Sequence, residues 1–195
     1  MARRSTRDMI ISVAAGLFAT AGLRKTTMET IAAAAGRGRR TVYMYFSNKA
    51  EIYDAVVDNE IKLITEPLKD IASSDEPFET VIRRYSDERV NQLNALSIRN
   101  PLLLKDFALG LSRVERLRAK LQKMEKLILI PFFRREIEQH DLSIRLLPED
   151  YATVLLNMLC GNDHLITKKD GLREAIHLSA VSADLFLRAI ASLRH

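Results

Sequence analysis

The stretch from Thr26 to Lys49, TTMETIAAAAGRGRRTVYMYFSNK, limits what this chain can fold into more than any other. Its residue types predict two short helices, over 28–34 and 39–46, joined by a turn over 35–38 that holds two glycines. Thr26 with Glu29 three residues later has the spacing of a capping box, in which side chain and backbone pair reciprocally to start a helix. Asn48 with Glu51 repeats that spacing and opens a further helix. The second short helix is preceded by Arg37 and Gly38, begins with Arg39 and Arg40, and ends with Tyr43 and Tyr45. A short helix, a tight turn and a basic second helix have the chemistry of a helix-turn-helix, which lays its second helix in the DNA major groove.

Around this stretch the apolar residues recur at three- and four-residue spacing. No segment alternates with period two between turns, so an all-α protein of about nine helices is expected. The first helix is expected over 7–21, with Gly22 ending it. The helix that opens at Asn48 carries Ile52, Val56, Asn59, Leu63 and Ile64 and stops near Pro67 or soon after. Further helices are expected over about 78–98, 101–108, from 111 onward, 149–162 and 169–193. The one from 111 shows a stripe of Leu111, Val114, Leu117, Leu121, Met124 and Ile128, and Pro131 is expected to kink or split it. The domain boundary is placed inside the long fourth helix, giving a three-helix head over 1–53 and a helical body over 54–195.

Charge supports that division. The net charge is +5, but residues 1–53 hold nine Lys/Arg against three acids, which leaves the body near neutral. That is the asymmetry of a polyanion-binding head, although a basic solvated face has the same composition. Cys160 is the single cysteine, so neither an intrachain disulfide nor a cysteine-based metal cluster can form, and a reducing cytosol is compatible. Cys160 and His164 stand four apart, as a metal pair on a helix would, but no third ligand is visible; no metal and no cofactor are expected. No phosphate-binding GxxxxGK[ST] loop, GxSxG elbow or HExxH pattern occurs, so no enzyme is expected. The start, MARRSTRDMIISVAAGLFATAGL, imitates a secretory signal. Asp8 interrupts its basic head, however, and Ile10, Ala14, Leu17 and Ala21 recur at helical spacing, which predicts a packing helix. No apolar run of membrane-spanning length is read, and a cytoplasmic protein with no membrane partner is expected.

Residues 7–53 resemble the tetracycline-repressor (TetR) family of bacterial transcription regulators. The resemblance rests on Ala14-Ala15-x-Leu17-Phe18, Gly22, Thr26-Thr27, Ile31-Ala32-x-x-Ala35-Gly36, Thr41-Val42-Tyr43-x-Tyr45-Phe46, Asn48-Lys49 and Ile52, in the family's order and spacing. It implies a homodimeric regulator, whose head binds a palindromic double-stranded DNA operator. It also implies a divergent ligand-binding and dimerisation body, in which a small-molecule effector shifts the two heads and releases DNA. A repressor is the expected role. The alternative is a helical interaction protein whose head does not bind DNA specifically. The sequence departs from the family in the turn, where an aliphatic residue and a Ser or Thr are replaced by Arg37 and Gly38.

Candidate DNA contacts follow from the helix-turn-helix geometry. Arg39 or Arg40 would read guanine through a bidentate pair, worth about 1–3 kcal/mol of discrimination, and Thr41 or Met44 would meet a thymine methyl. Contact with phosphate alone is the competing role for both arginines. Thr26 and Thr27 open the first short helix and can offer a hydroxyl and the helix N-terminus to phosphate. Either the Arg37 stem lies over Phe46 and its head reaches phosphate, or the turn is repacked around it. The resemblance implies phosphate contacts for Tyr43, Tyr45 and Lys49. Two residues apart on a helix point about 200° apart, so Tyr43 is favoured over Tyr45. Arg3, Arg4 and Arg7 form either a groove-reaching arm or a solvated tail.

In the body, the helices over about 149–162 and 169–193 are apolar around more than half their circumference, which predicts a second partner and a homodimer through them. The helices between would enclose an effector pocket, with Tyr85, Arg89, Phe107, Leu121 and Met124 as candidate contacts. Arg89 lies on an apolar stripe, four residues after Tyr85 and four before Leu93. A buried guanidinium needs an anionic or polar partner, either a ligand carboxylate or an internal acid such as Asp106 or Glu115.

Overall fold

A computed structural model describes residues 5–102, 112–140 and 146–193, with side chains described over 5–102, 118–139 and 146–192. All regular structure among them is helical. The elements are α1 (Thr6–Lys25), α2 (Met28–Ala34), α3 (Arg39–Tyr45), α4 (Lys49–Ala72), α5 (Phe78–Arg99), α6 (Ser112–His140), α7 (Pro148–Cys160), a 3-10 turn (Asp163–Thr167) and α8 (Gly171–Leu193). The helix expected over 101–108 lies mostly outside the described residues, which accounts for eight α-helices against about nine.

The helix starts follow local chemistry. Ser5 accepts the Asp8 amide and caps α1. Its helical path is interrupted at Gly22, whose backbone (φ 79°, ψ 159°) lies in a region essentially reserved for glycine, and Leu23 to Lys25 turn off toward α2. The capping box of α2 lies one residue later than Thr26–Glu29. Thr27 accepts the Thr30 amide at 3.2 Å, and the Thr30 hydroxyl accepts the Thr27 amide at 2.9 Å. The cause is Thr26, which is buried. Asn48 accepts the Glu51 amide as expected, but the Glu51 carboxylate reaches back to Ser47 instead of Asn48.

Two apolar cores meet along α4. Ile10, Ala14, Phe18, Ile31, Val42, Phe46, Ile52 and Val56 belong to the core of the head. From Val57 onward α4 buries its side chains in a second core with α5 to α8. Tyr53 packs against both. Beyond Val57 the buried face of α4 runs through Ile61, Ile64, Leu68 and Ile71, which leaves Leu63, placed on the stripe by the sequence, on the exposed side. The body core is organised by rings: Phe132 and Phe133 of α6 lie between Phe78 of α5, Tyr151 of α7 and Phe186 of α8, with centroids 5.2–6.2 Å apart.

Prolines do not break the helices. Pro67 lies inside α4 and Pro131 inside α6, which continues unsplit to His140. In both, the residue four back, Leu63 or Leu127, whose carbonyl loses its helical donor, has an exposed side chain. Two helices, Thr6–Lys25 and Gly171–Ser192, are long and apolar enough to cross a membrane by length and composition, contrary to the sequence expectation. Each instead packs one face into a core, through Ile10, Ala14 and Phe18 in α1 and Ala183, Phe186 and Ile190 in α8.

Candidate nucleic-acid interface and buried charge cluster

The turn between α2 and α3 is a Schellman motif. The Gly36 amide donates to Ala33 O at 3.1 Å and the Arg37 amide to Ala32 O at 3.0 Å, satisfying the last carbonyls of α2. Gly36 has φ +60°, the left-handed conformation this motif requires. Gly38 then caps α3 with extended backbone and no side-chain bond. A hydroxyl is therefore missing, but the helix start is intact.

Because α3 has seven residues and buries only Val42, almost its whole surface is displayed. Arg37, Arg39, Arg40, Tyr43, Met44 and Tyr45 are exposed, and Thr41 is half-buried. Met44 is the most exposed of the apolar ones at 77%. Tyr43 and Tyr45 are equally exposed, at 41% and 42%, so the preference for Tyr43 has no basis in exposure. Opposite directions on the helix do not bury either one, since the core takes its side chains from α3 at Val42 and, just beyond it, Phe46. Arg39 pairs with Glu29 of α2 at 3.0 Å and lies over the Tyr43 ring at 5.5 Å. Hydrogen bonding at the start of α2 holds the Glu29 carboxyl below its ordinary range, first through backbone amides and then through Thr27. Arg40 has no ion-pair partner among the described residues.

Three candidates have other tasks. Thr26 is buried, and its hydroxyl donates to Gly22 O at 2.9 Å, closing the kink of α1; it cannot present itself to phosphate. Lys49 directs its ammonium onto Leu23 O and Thr26 O, both at 2.7 Å, with Arg24 O at 3.5 Å. It caps the end of α1 rather than standing free for phosphate. The side chain over Phe46 is that of Arg7, at 5.1 Å, not Arg37. Arg7 thus belongs to the head, while Arg3 and Arg4 lie outside the described residues. Thr27 remains exposed at the start of α2.

In the body, Arg89 is fully buried and joins three elements. Its Nε donates to Glu125 Oε1 of α6 at 2.7 Å, and its two terminal nitrogens donate to Asp163 Oδ1 and Oδ2 of the 3-10 turn at 2.6 and 2.9 Å. One of them also reaches Cys160 Sγ at 3.1 Å. The partners are therefore internal acids, but not the two named from sequence. Asp106 and the Glu115 side chain lie outside the described residues. Glu125 and Asp163 stand 36 and 74 positions from Arg89, beyond any local pattern. An acid four after Leu121 and four before Leu129, on an otherwise apolar stripe, was the available signal for Glu125.

A cavity of about 120 Å³ opens on this cluster, lined by Arg89, Arg118, Leu121, Gln122, Glu125, Cys160 and Asp163. Of the candidate effector contacts, Arg89 and Leu121 line it. Tyr85 is buried behind it, donating to Glu125 Oε1 at 3.5 Å. Met124 points away and is 37% exposed, because the buried face of α6 steps through Leu121, Glu125, Leu129 and Phe132. Phe107 lies outside the described residues. Burial pushes the Glu125 carboxyl up, against the pull of Arg89, and the Cys160 thiol up to about 11. Cys160 accepts from Arg89 and His164 bonds Gly161 O, so the two are not paired as metal ligands, and no metal-binding group occurs among the described residues.

Residues 10–56 match the family of bacterial regulatory proteins, tetR family. An HTH-type transcriptional regulator of Bacillus subtilis, YhgD, is 25% identical over 134 residues, which are 68% of this chain and 67% of that protein. A transcriptional regulator from Cytophaga hutchinsonii shares the fold with a TM-score of 0.74, at 21% identity over 93% of this chain and 96% of its own. SmeT, the repressor of the Stenotrophomonas maltophilia multidrug efflux pump SmeDEF, does so at 0.70 and 21% identity, over 95% of this chain and 90% of its own, and is also known as a triclosan complex. These relatives are regulators, not enzymes. The chain thus carries a match to the tetR family of bacterial regulatory proteins in its head, over residues 10–56, and shares its overall fold with these regulators.

Proposed function

We propose that this protein is a dimeric transcriptional repressor that a small-molecule effector releases from a palindromic operator. The observation that carries it is α3, a helix that buries only Val42 and displays three arginines' worth of charge with its turn. Arg40 and Met44, one helical turn apart, take the base edges, with Arg39 steered by Glu29 and Tyr43. Arg37, Thr27, Tyr43 and Tyr45 hold phosphates, and Thr41 packs at the rim. The head comprises residues 1–53 and the body 54–195. Dimerisation runs through α7 and α8, where Val154, Ile176, Val181 and Leu185 are exposed. The protein works in the cytoplasm, where the operator is. SmeT, a repressor known with triclosan bound, supports an effector-responsive body.

Selection of random duplexes by the full-length protein tests this. The expected result is a short palindrome whose affinity falls steeply with salt. The Arg39→Ala/Arg40→Ala variant is expected to lose the selection. No sequence preference at any salt would refute the regulator, and retained selection by the double variant would refute the base-reading roles.

A further inference from the structure

The three exposed arginines of the helix-turn-helix are not equivalent. Among the described residues Arg37 and Arg40 have no ion-pair partner. Arg39 Nη2, in contrast, lies 3.0 Å from Glu29 Oε1 of α2, and its guanidinium lies over the Tyr43 ring, 5.5 Å from the centroid. Glu29 is the single acid between Thr26 and Lys49. On a surface that meets phosphates, a carboxylate lowers affinity for every duplex alike. The fold does not need the pair either, since the side chains are 53% and 63% exposed and ion pairs of that kind add little stability. An acid in the first turn of a helix does complement the helix dipole, but that role asks nothing of Arg39.

What the pair changes is the freedom of Arg39. A long side chain that would otherwise sweep the groove is held at two points, by a carboxylate at its edge and a ring against its face. An arginine has five N–H donors, so enough remain for the two parallel bonds that recognise guanine O6 and N7. We propose that Glu29 is a positioning residue for base recognition: it holds Arg39 so that the guanidinium reads the guanine of one G·C pair, giving up overall affinity for discrimination. Ordering a rotamer-rich side chain opposes binding, and here the ordering precedes the encounter with DNA. The inference rests on the operator recognition proposed above and adds the residue that sharpens it.

The test uses the full-length protein, the duplex it selects from a random pool, and a set of duplexes in which each G·C pair is changed singly to A·T. Affinities are read by fluorescence anisotropy and Tm by thermal denaturation. Arg39→Lys keeps the charge but not the fork, so the G·C pair at which it loses preference is the one Arg39 reads. A bidentate pair discriminates by roughly 5- to 100-fold. Glu29→Ala is expected to lower the preference at that same pair by at least about fivefold, to keep the others, and to leave Tm nearly unchanged. Its affinity for a shuffled duplex is expected to be equal to the native chain's or higher, because a charge repelling phosphate is gone. Added to Arg39→Lys, Glu29→Ala is expected to change no base preference further, as required of a residue acting through Arg39. Full preference in either single variant, an equal loss of affinity for all duplexes in Glu29→Ala, or a further change in the double variant would overturn the proposal. A native chain that selects a palindrome while Glu29→Ala selects it equally well refutes only the role of Glu29; a native chain without any preference refutes the regulator as well.

Discussion

Replacing Arg89 with methionine removes one charge from the centre of the body and leaves two carboxylates facing each other. Arg89 is 1% exposed and Glu125 0%, so water cannot take over the lost contacts. Removing one partner of a buried ion pair costs about 3–5 kcal/mol, because the remaining charge stays desolvated and unpaired. For a chain of this size each kcal/mol lowers Tm by roughly 2–4 °C, so a drop of roughly 6–20 °C is expected. The pH dependence identifies the cause. Burial already raises the Glu125 carboxyl above its ordinary value of 4.5 in spite of the pull from Arg89. Without Arg89 it rises further, and the folded variant holds a proton that the unfolded chain has released. The unfolded state then binds fewer protons, so stability falls as pH climbs above the ordinary carboxylate range. The deficit of Arg89→Met against the native chain, measured by urea denaturation, is therefore expected to be largest near about pH 8 and to shrink toward about pH 5. Adding Glu125→Gln and Asp163→Asn is expected to recover part of it. A deficit below about 1 kcal/mol, or one that grows on acidification, would refute the buried-charge account.

Three further outcomes are expected. Lys49→Met should destabilise the head by about 1–3 kcal/mol in thermal denaturation, since two short charge-assisted bonds to backbone carbonyls are lost; unchanged stability with a DNA salt slope reduced by about one would return Lys49 to phosphate contact. Gly36→Ala meets no atom within 4 Å, so only its left-handed backbone resists, and a loss of about 1–2 kcal/mol is expected by denaturant titration; a neutral result would contradict the turn geometry. Cys160, raised from 9.0 to about 11 mainly by burial, should be alkylated by iodoacetamide about 100-fold more slowly near pH 8 than in the urea-unfolded chain, as judged by mass spectrometry. Equal rates would show the thiol to be open to solvent.

Much of the head was legible because its signals act over four or five residues. The α2 limits, the turn over 35–38 and the Asn48 cap each follow from neighbouring backbone and side chains, and the structure keeps them. The errors there were of contact rather than of element. Thr26 and Thr27 are equal candidates for a cap until Gly22 bends α1 and claims the Thr26 hydroxyl. Lys49 looks free until the end of α1 folds back to within 2.7 Å of its ammonium. Arg37 was offered a place over Phe46 that Arg7, distant in sequence, fills.

Periodicity, glycine placement and charge asymmetry determined an all-helical chain with a basic helix-turn-helix head, since each depends on the chain's own local geometry. Packing chose everything that joins distant positions. It selected Glu125 and Asp163 for Arg89, kept both prolines within unbroken helices, and turned Met124 out of the cavity that Leu121 lines. A sequence states which side chains lie on one helical face, but the partner of that face depends on how whole helices settle against one another. That is why the basic helix-turn-helix was visible before the fold and the unpaired carboxylate oxygen of Glu125 was not.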